Sequence, residues 1–163
     1  MNQHIVMMRL AEKEALKSVC KRAQVGAVWK PSLTAKGTYI TSKGHNFNLN
    51  GGVCECEGGK TLPDVVHAEH AAILFYGKFI NNVHGGTLYV TRQPCINCAR
   101  LIVEAGIEQV FYRDADDKTE GLELLAAHGV LVDSGWIAGQ REPLIEPTLM
   151  QKIQASWLAR WSV

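Results

Sequence analysis

The sequence predicts an α/β protein, a three-layer α-β-α domain built around a mixed five-stranded sheet. Three observations predict it. Two short apolar segments follow the first helix as a hairpin would, strand and helix periodicity then alternate as far as residue 132, and 163 residues suit one compact core. We expect the domain to cover residues 1–135. Residues 136–163 are predicted to form a C-terminal helical extension, packed on the domain or at a subunit interface.

The first half of the chain is predicted to contain one helix, a hairpin and a loop. Apolar residues recur every three or four positions from residue 5 to residue 19, which indicates an amphipathic helix. Residues 25–29 form a short apolar strand that ends before Pro31, and residues 38–41 form its partner. The stretch 44–63 is rich in Asn and Gly, and we expect a long loop of the kind that often carries function.

The second half is predicted to alternate between helix and strand. Helix begins at residue 66 or 67 and ends near residue 76, because Gly77 follows. The later elements are a strand at 87–91, a helix at 95–105, a strand at 109–112, a helix at 120–127 and a strand at 130–132. An apolar stripe with steps of four predicts the closing helix: Ile145, Leu149, Ile153, Trp157 and Trp161.

Composition and charge favour a small substrate. The formal net charge is +1 and the basic residues are scattered, whereas proteins that grip long nucleic acids usually carry a basic stripe. No apolar run approaches the ~20 residues of a membrane-spanning helix, and the N-terminus does not resemble a secretory signal. We therefore expect a cytoplasmic protein with no membrane or long nucleic acid as partner.

The chain has five cysteines, and in a cytoplasmic protein they are more consistent with ligands than with disulfides. Cys95 and Cys98 form a C-x-x-C pair at a predicted helix start. Two residues that are three apart on the first helical turn face the same way, and a helix N-terminus favours thiolates. His67, at another helix start, would be the third ligand of a catalytic Zn²⁺ whose fourth position stays open.

Glu69 lies two residues after the predicted histidine ligand, too close to share its face of the helix. We therefore predict that Glu69 carries protons and does not bind the metal. It would take a proton from the attacking water, deliver it to a ring nitrogen and then protonate the departing amine. Attack on an amidine-like carbon would release ammonia.

H-x-E followed by P-C-x-x-C is the motif of zinc-dependent nucleobase deaminases, and this chain resembles them. The likeness extends over roughly residues 5–132 to the deoxycytidylate (dCMP) deaminases, in particular to their phage and bacterial members. The stretches that carry it, besides the two zinc motifs, are Ser18-Val19-Cys20, Val25-Gly26-Ala27-Val28, Gly44-His45-Asn46, Thr87-Leu88-Tyr89-Val90-Thr91 and Ala105-Gly106-Ile107. The resemblance implies a cytidine deaminase-like fold and conversion of dCMP to dUMP, the precursor for thymidylate synthesis.

The resemblance also implies substrate contacts. Asn46 matches the family's sugar-binding asparagine, and Lys78 stands where the family has a basic residue for the 5′-phosphate. Ala68 lies inside the first zinc motif, and Gln93 borders the pocket between strand and zinc helix. His45 and Phe47 depart from the family's Gly-Tyr-Asn-Gly. Lys78 could equally be a solvated surface lysine.

Regulation and further metal binding follow from the same likeness. The resemblance implies a homo-oligomer, expected to be a hexamer, that dCTP activates and dTTP inhibits at subunit boundaries, with Mg²⁺ on the triphosphate. The matching loop here contains Asn48, Asn50, Gly51 and Gly52. Some members bind a second, structural zinc through cysteines that match Cys20 and one of Cys54 and Cys56; the alternative is buried free thiols.

Three other functions remain open. A transfer-RNA adenosine deaminase shares the zinc motif but needs a positive surface. Nucleoside cytidine deaminases generally use three cysteines, and His67 argues against that class. A non-catalytic zinc module would close its site with a fourth protein ligand and would have no use for Glu69.

Overall fold

A computed structural model of the chain describes residues 3–32, 41–79 and 85–134; the side chains of residues 75–79 are not part of that description. The helices are α1 (Gln3–Ala15), α2 (Ala68–Phe79), α3 (Ile96–Glu104) and α4 (Glu120–Ala127). The strands are β1 (Gly26–Lys30), β2 (Ser42–His45), β3 (Phe47–Asn48), β4 (Val65–Val66), β5 (Thr87–Arg92), β6 (Gln109–Asp114) and β7 (Leu131–Asp133).

Five strands form one mixed sheet in the order β2-β1-β5-β6-β7, and β3 pairs with β4 in a separate ribbon. The strands β1 and β2 are antiparallel, β1 is antiparallel to β5, and β5, β6 and β7 run parallel. Parallel neighbours need crossover helices, and α3 and α4 supply them. The predicted mixed five-stranded sheet is confirmed.

Each face of the sheet has its own helices because neighbouring residues of a strand point to opposite faces. On β5, Tyr89 packs with α1, whereas Leu88 and Val90 belong to the cluster under the other helices. That larger cluster includes Ala72 of α2, Ile102 of α3 and Leu125 of α4 among its buried members. The layers are therefore α1, the sheet, and the group of α2, α3 and α4, as predicted.

Two sequence predictions in the first half are wrong in their bounds. The first helix ends at Ala15, and the apolar periodicity beyond it faces solvent, since Leu16 is 75% and Val19 is 70% exposed. The strand expected at 38–41 is instead β2 at Ser42–His45, and residues 38–40 lie outside the described part. The Ser42 hydroxyl donates to the carbonyl of Ala72 at 2.6 Å, so contact with α2 defines this strand more than local apolarity does.

The predicted loop at 44–63 contains more structure than its composition suggests. Its first residues belong to β2 and β3, and Glu55 forms an isolated antiparallel bridge with Thr61. Further on, α2 continues through Gly77 to Phe79, so the prediction that Gly77 ends this helix is wrong. The later elements agree with the sequence to within one or two residues. No helix in the described ranges is long and apolar enough to cross a membrane.

The C-terminal stripe from Ile145 to Trp161 lies outside the described residues, as does the predicted extension over 136–163. The boundary near residue 135 stays a prediction.

Two glycines allow the helices to approach the sheet closely. A Cβ on Gly26 would lie 2.1 Å from the carbonyl oxygen of Ala11, and one on Gly44 would lie 2.4 Å from the amide nitrogen of Ala72. Real Cβ atoms do not approach backbone so closely, so any side chain at Gly44 must push α2 away from β2. The N-terminal end of α2 carries the predicted catalytic motif, and Gly44 therefore sets how far that motif stands from the sheet.

Replacing Gly44 with alanine should lower the free energy of unfolding by about 1–3 kcal/mol, because overpacking forces a backbone shift. The matched control is Gly58→Ala, where an added Cβ meets no atom within 4 Å. That control should stay within about 0.5 kcal/mol of the parent. Urea unfolding at unchanged m-value measures both. Equal stability of the two variants would contradict the close approach of α2.

Candidate metal centre and substrate pocket

The predicted zinc ligands meet where the N-termini of two helices converge. His67 immediately precedes α2. Cys95 is the N-cap residue of α3 in extended conformation, with no hydrogen bond from its side chain to the helix, and Cys98 lies in the first turn. A helix N-terminus carries a partial positive charge that favours thiolate.

The three donor atoms have the spacing of a tetrahedral zinc site. The Nδ1 atom of His67 lies 3.3 Å from Cys98 Sγ and 3.6 Å from Cys95 Sγ. Bonds of about 2.3 Å to sulfur and about 2.0–2.1 Å to nitrogen at tetrahedral angles place these atoms about 3.6 Å apart. In the described part of the chain the group has three members, His67, Cys95 and Cys98. The donor set therefore fits zinc with one position left for another ligand.

Hydrogen bonds among these three side chains shift their pKa values. A hydrogen bond from the Cys98 thiol, with a further one from His67, lowers the pKa of Cys95 to about 3. The same bond to Cys95, together with burial, raises the pKa of Cys98 well above its usual value. The bond to Cys95 also raises the pKa of His67. Metal binding requires the ligands to give up such protons, which a divalent cation would replace.

Glu69 stands beside this group but outside it. Its side chain is 3% exposed, and it is not among the three residues whose donor atoms converge. Burial raises the pKa of its carboxyl to about 6. A carboxylate whose pKa lies near neutrality can both accept and donate a proton, which a metal-ligating carboxylate does not do. The geometry agrees with the predicted division between ligands and proton carrier.

A cavity of about 240 Å³ opens next to this group. His67, Glu69 and Cys95 line this cavity, and the basic residues Arg22, Arg92 and Lys118 also contribute to its wall. Its volume suits a small ligand.

Asn46 and Ala68 line the cavity as predicted, but the carboxamide of Asn46 is already occupied. Its Oδ1 accepts the Val25 amide at 2.8 Å, and its Nδ2 donates to the Ala23 carbonyl at 2.8 Å. Asn46 therefore fixes the connection between α1 and β1. It contributes to the cavity by holding this part of the wall in place.

Gln93 also lines the cavity, and its side chain is likewise engaged by backbone. Its Nε2 donates to the carbonyl of Lys118 at 2.5 Å and its Oε1 accepts the amide of Asp116 at 3.1 Å. These contacts occupy the carboxamide, and substrate binding by Gln93 stays a prediction. Lys78 lies in the last turn of α2, not past its end as predicted, and its side chain is outside the description. Its phosphate contact stays a prediction.

Two basic residues of the cavity wall, Arg22 and Lys118, were not predicted as site residues. Arg22 lies between α1 and β1, where its guanidinium donates to the Thr61 hydroxyl at 3.3 Å. Lys118 follows β6, in the loop at the carboxyl end of a parallel strand. Ligands of open α/β sheets bind outside such strand ends, so this general rule could have pointed to Lys118. No local pattern marks Arg22.

The cavity's third cation, Arg92, is neutralised, because its Nη2 lies 2.7 Å from the Asp116 carboxylate. Within the described residues, no carboxylate lies within ion-pair distance of the side-chain cations of Arg22 and Lys118. The cavity thus has two cations that can take a ligand's negative charge.

The loop predicted to bind effectors is organised by its own side chains. Asn48 donates to the Val53 carbonyl at 2.7 Å and accepts the Asn50 amide at 2.8 Å. Asn50 donates to the Asp64 carboxylate at 3.2 Å. Gly51 has φ +72°, a conformation that glycine adopts readily, and Gly52 is exposed beside it. Nucleotide binding at these residues stays a prediction.

Cys20 and Cys54 form a disulfide, with their Cα atoms 5.1 Å apart, and Cys56 is free and exposed. The expectation that the cysteines are ligands or free thiols is therefore wrong for this pair. Both residues are buried where the α1–β1 connection crosses the loop, which brings their sulfurs together. Cys56 stands apart, whereas the sulfurs of Cys20 and Cys54 lie within 4.8 Å of each other and of a Glu55 carboxylate oxygen. A second zinc at Cys20 and one of Cys54 and Cys56 stays a prediction.

Comparison with known proteins places the chain among deaminases. The family model described as the cytidine and deoxycytidylate deaminase zinc-binding region matches residues 1–114. ComE operon protein 2 of Bacillus subtilis (strain 168) is 37% identical over 126 residues, which cover 73% of this chain and 64% of that protein. The deoxycytidylate deaminase of Mycobacterium phage D29 is 35% identical over 114 residues, 63% of this chain and 88% of that enzyme.

A solved structure agrees with these sequence relatives. The dCMP deaminase of cyanophage S-TIM5, crystallised in complex with dCMP and dUMP, superposes with a TM-score of 0.70 at 34% identity, over 82% of this chain and 98% of that one. The matched region contains the histidine, the glutamate and both cysteines of the metal centre. The chain belongs to the cytidine and deoxycytidylate deaminase family, and it is of the phage and bacterial deoxycytidylate deaminase type.

Proposed function

We propose that this protein catalyses the hydrolytic deamination of dCMP to dUMP and ammonia. One observation carries the proposal: three metal-binding donors with an open position stand beside a buried carboxylate, in a cavity whose wall also has two cations that no carboxylate of the described residues pairs with. The metal donors and the buried carboxylate suit attack of water on an amidine carbon, and the two cations suit binding of a phosphate. The family and the cyanophage relative support this substrate.

His67, Cys95 and Cys98 would hold the zinc ion. When bound there, zinc supplies a Lewis acid that makes a water molecule acidic enough to attack at neutral pH. Glu69 then accepts a proton from the attacking water and passes it to the ring nitrogen. It would next take the remaining proton of the added hydroxyl and deliver it to the amino group, which leaves as ammonia while the carbonyl forms. Burial of Glu69 keeps its carboxyl ready to exchange protons in both directions.

Arg22 and Lys118 are the groups that we propose for the 5′-phosphate. A phosphate needs positive partners that are not already neutralised, and Arg92 is held by Asp116. Ala68 and Asn46 would form the wall beside the base and sugar. The product dUMP would supply thymidylate synthesis, which fits a protein of the cytoplasm.

Substrate preference provides the first test. Ammonia release, followed in the ultraviolet across deoxycytidine, dCMP, dCTP, CMP and adenosine, should be fastest with dCMP, because only a nucleotide presents a phosphate to the two cations. Deoxycytidine separates the nucleoside deaminase alternative, and adenosine separates the adenosine deaminase alternative. Turnover of either one above that of dCMP would refute the assignment.

Metal content separates the roles of the site residues. The parent protein should hold about one zinc per chain, and His67→Ala, Cys95→Ala or Cys98→Ala should release it. Glu69→Gln keeps the shape of the side chain but removes its proton exchange, so zinc should remain while turnover falls by a factor of about 100 to 10,000. Atomic absorption on gel-filtered protein measures the metal. Loss of zinc from Glu69→Gln would identify this residue as a ligand.

We further propose that the enzyme is a homohexamer regulated by nucleotides, with dCTP as activator, dTTP as inhibitor and Mg²⁺ on the bound triphosphate. The family resemblance at the loop of Asn48, Asn50, Gly51 and Gly52 supports this. Exposed apolar side chains also flank the disulfide on the two segments that it joins: Leu16, Val19, Leu49 and Val53. Large apolar side chains grouped at the surface favour a protein partner, here a second copy of the chain.

Initial rates against dCMP should then be sigmoidal, become hyperbolic with dCTP and fall with dTTP, because the two effectors stabilise different states of one oligomer. Light scattering should give the mass of six chains. A monomer whose rates neither nucleotide changes would contradict both parts of this proposal.

A further inference from the structure

Gln93 ties the turn before the metal centre to the loop after β6. Its backbone amide donates to the Asp114 carbonyl at 2.8 Å, and its side chain bonds the amide of Asp116 and the carbonyl of Lys118. One buried residue thus contacts every second residue of the segment 114–118. Gln93 is also two positions before Cys95, so the metal centre and this loop share one fixed point.

The loop is held at its other end by close packing. A Cβ on Gly121, at the start of α4, would lie 2.3 Å from the carbonyl oxygen of Pro94. The start of α4 therefore lies directly against the turn that carries Cys95. Between these two fixed points the chain has little freedom, and the clamp by Gln93 determines where the intervening residues lie.

The charges on this loop give the clamp a consequence for substrate. Asp116 pairs with Arg92, whereas the ammonium of Lys118 has no carboxylate within ion-pair distance among the described residues. Lys118 lines the cavity that also contains Glu69. The turn that carries Cys95 therefore also determines, through Gln93, how far Lys118 lies from the zinc ligands.

We propose that Gln93 is a positioning residue that sets the distance between the reacting carbon and Lys118, and so selects a nucleoside 5′-monophosphate over the free nucleoside. This inference rests on the proposed function. A carboxamide of this length is suited to the task because it offers one acceptor and one donor at once. A glutamate could accept from Asp116 but would repel the Lys118 carbonyl, and a methionine can do neither.

The test is Gln93→Met, which keeps the length of the side chain and adds no charge. KM for dCMP should rise about tenfold with kcat within about twofold, because a displaced Lys118 weakens phosphate binding and leaves the reacting groups in place. KM for deoxycytidine should change by less than twofold. Gln109→Met, a half-buried glutamine at the opposite end of β6 and outside the cavity wall, is the matched control and should leave both substrates unaffected.

A double mutant separates positioning from general damage. With Lys118→Ala already present, adding Gln93→Met should cost nothing further toward dCMP, because both act through the same ammonium. Calorimetric Kd values for dUMP, which require no turnover, should follow the same pattern. If Gln93→Met does not fold, Gln93→Glu replaces it. A positioning role predicts that Gln93→Glu raises KM for dCMP in the parent enzyme but not when Lys118→Ala is already present.

Several results would overturn the inference. Gln93→Met could lower activity equally on dCMP and deoxycytidine, or lower kcat at unchanged KM. Its loss could add to that of Lys118→Ala. Finally, Lys78→Ala, and not Lys118→Ala, could change the preference for dCMP over deoxycytidine. If the unaltered enzyme itself fails to prefer dCMP to deoxycytidine, the proposed function fails and this inference fails with it. A parent enzyme that prefers dCMP, with Gln93 variants that keep the preference, refutes the inference alone.

Discussion

The structure depends on the meeting of two helix N-termini, those of α2 and α3, at the carboxyl end of β5. There His67 Nδ1 lies within 3.6 Å of both thiols. The sheet makes this possible because β5 leads straight into α3, while β2 places α2 alongside. Gly44 allows α2 to lie against β2 without a Cβ between them. Because the zinc ligands come from different elements, the packing of the whole three-layer domain determines their spacing.

The same meeting point separates two kinds of chemistry over a short distance. Partial positive charge at both helix ends, with hydrogen bonds among the three donors, favours thiolate at Cys95. Burial next to it does the reverse for Glu69 and raises the pKa of its carboxyl. A lowered thiol pKa suits a metal ligand and a raised carboxyl pKa suits a proton carrier. Both residues lie at a helix start, but Cys95 is exposed and hydrogen-bonded whereas Glu69 is buried, and the two therefore take different roles.

How much of this could be predicted depended on whether the signal was local. The sheet and the later helices follow from periodicity, and these predictions were confirmed. The metal-binding motif follows from spacing within a few residues, and the structure brings its three donors together. The pairing of Cys20 with Cys54 and the backbone contacts of the Gln93 side chain were not predicted, because the partners lie 23 or more residues away. The strand expected at 38–41 was misplaced for a related reason, since contact with α2 defines β2. A resemblance transfers residue types, but only the fold shows whether Asn46 has a free carboxamide.

The two regions of the cavity are consequently built in different ways. The metal end is one local motif at two helix starts, whereas the cations come from two distant segments, each held by its own tether. Glu55 accepts the backbone amides of Lys21 and Arg22 at 3.3 and 3.0 Å, next to the disulfide that joins Cys54 to Cys20. Gln93 holds the segment that carries Lys118. Because these tethers lie outside the zinc ligands, changes in the connecting loops can alter which phosphate or sugar the cavity accepts while the deamination chemistry stays the same. A family with one metal centre can in this way act on several substrates. In this chain the residues that favour a nucleotide, Arg22 and Lys118, belong to the loops.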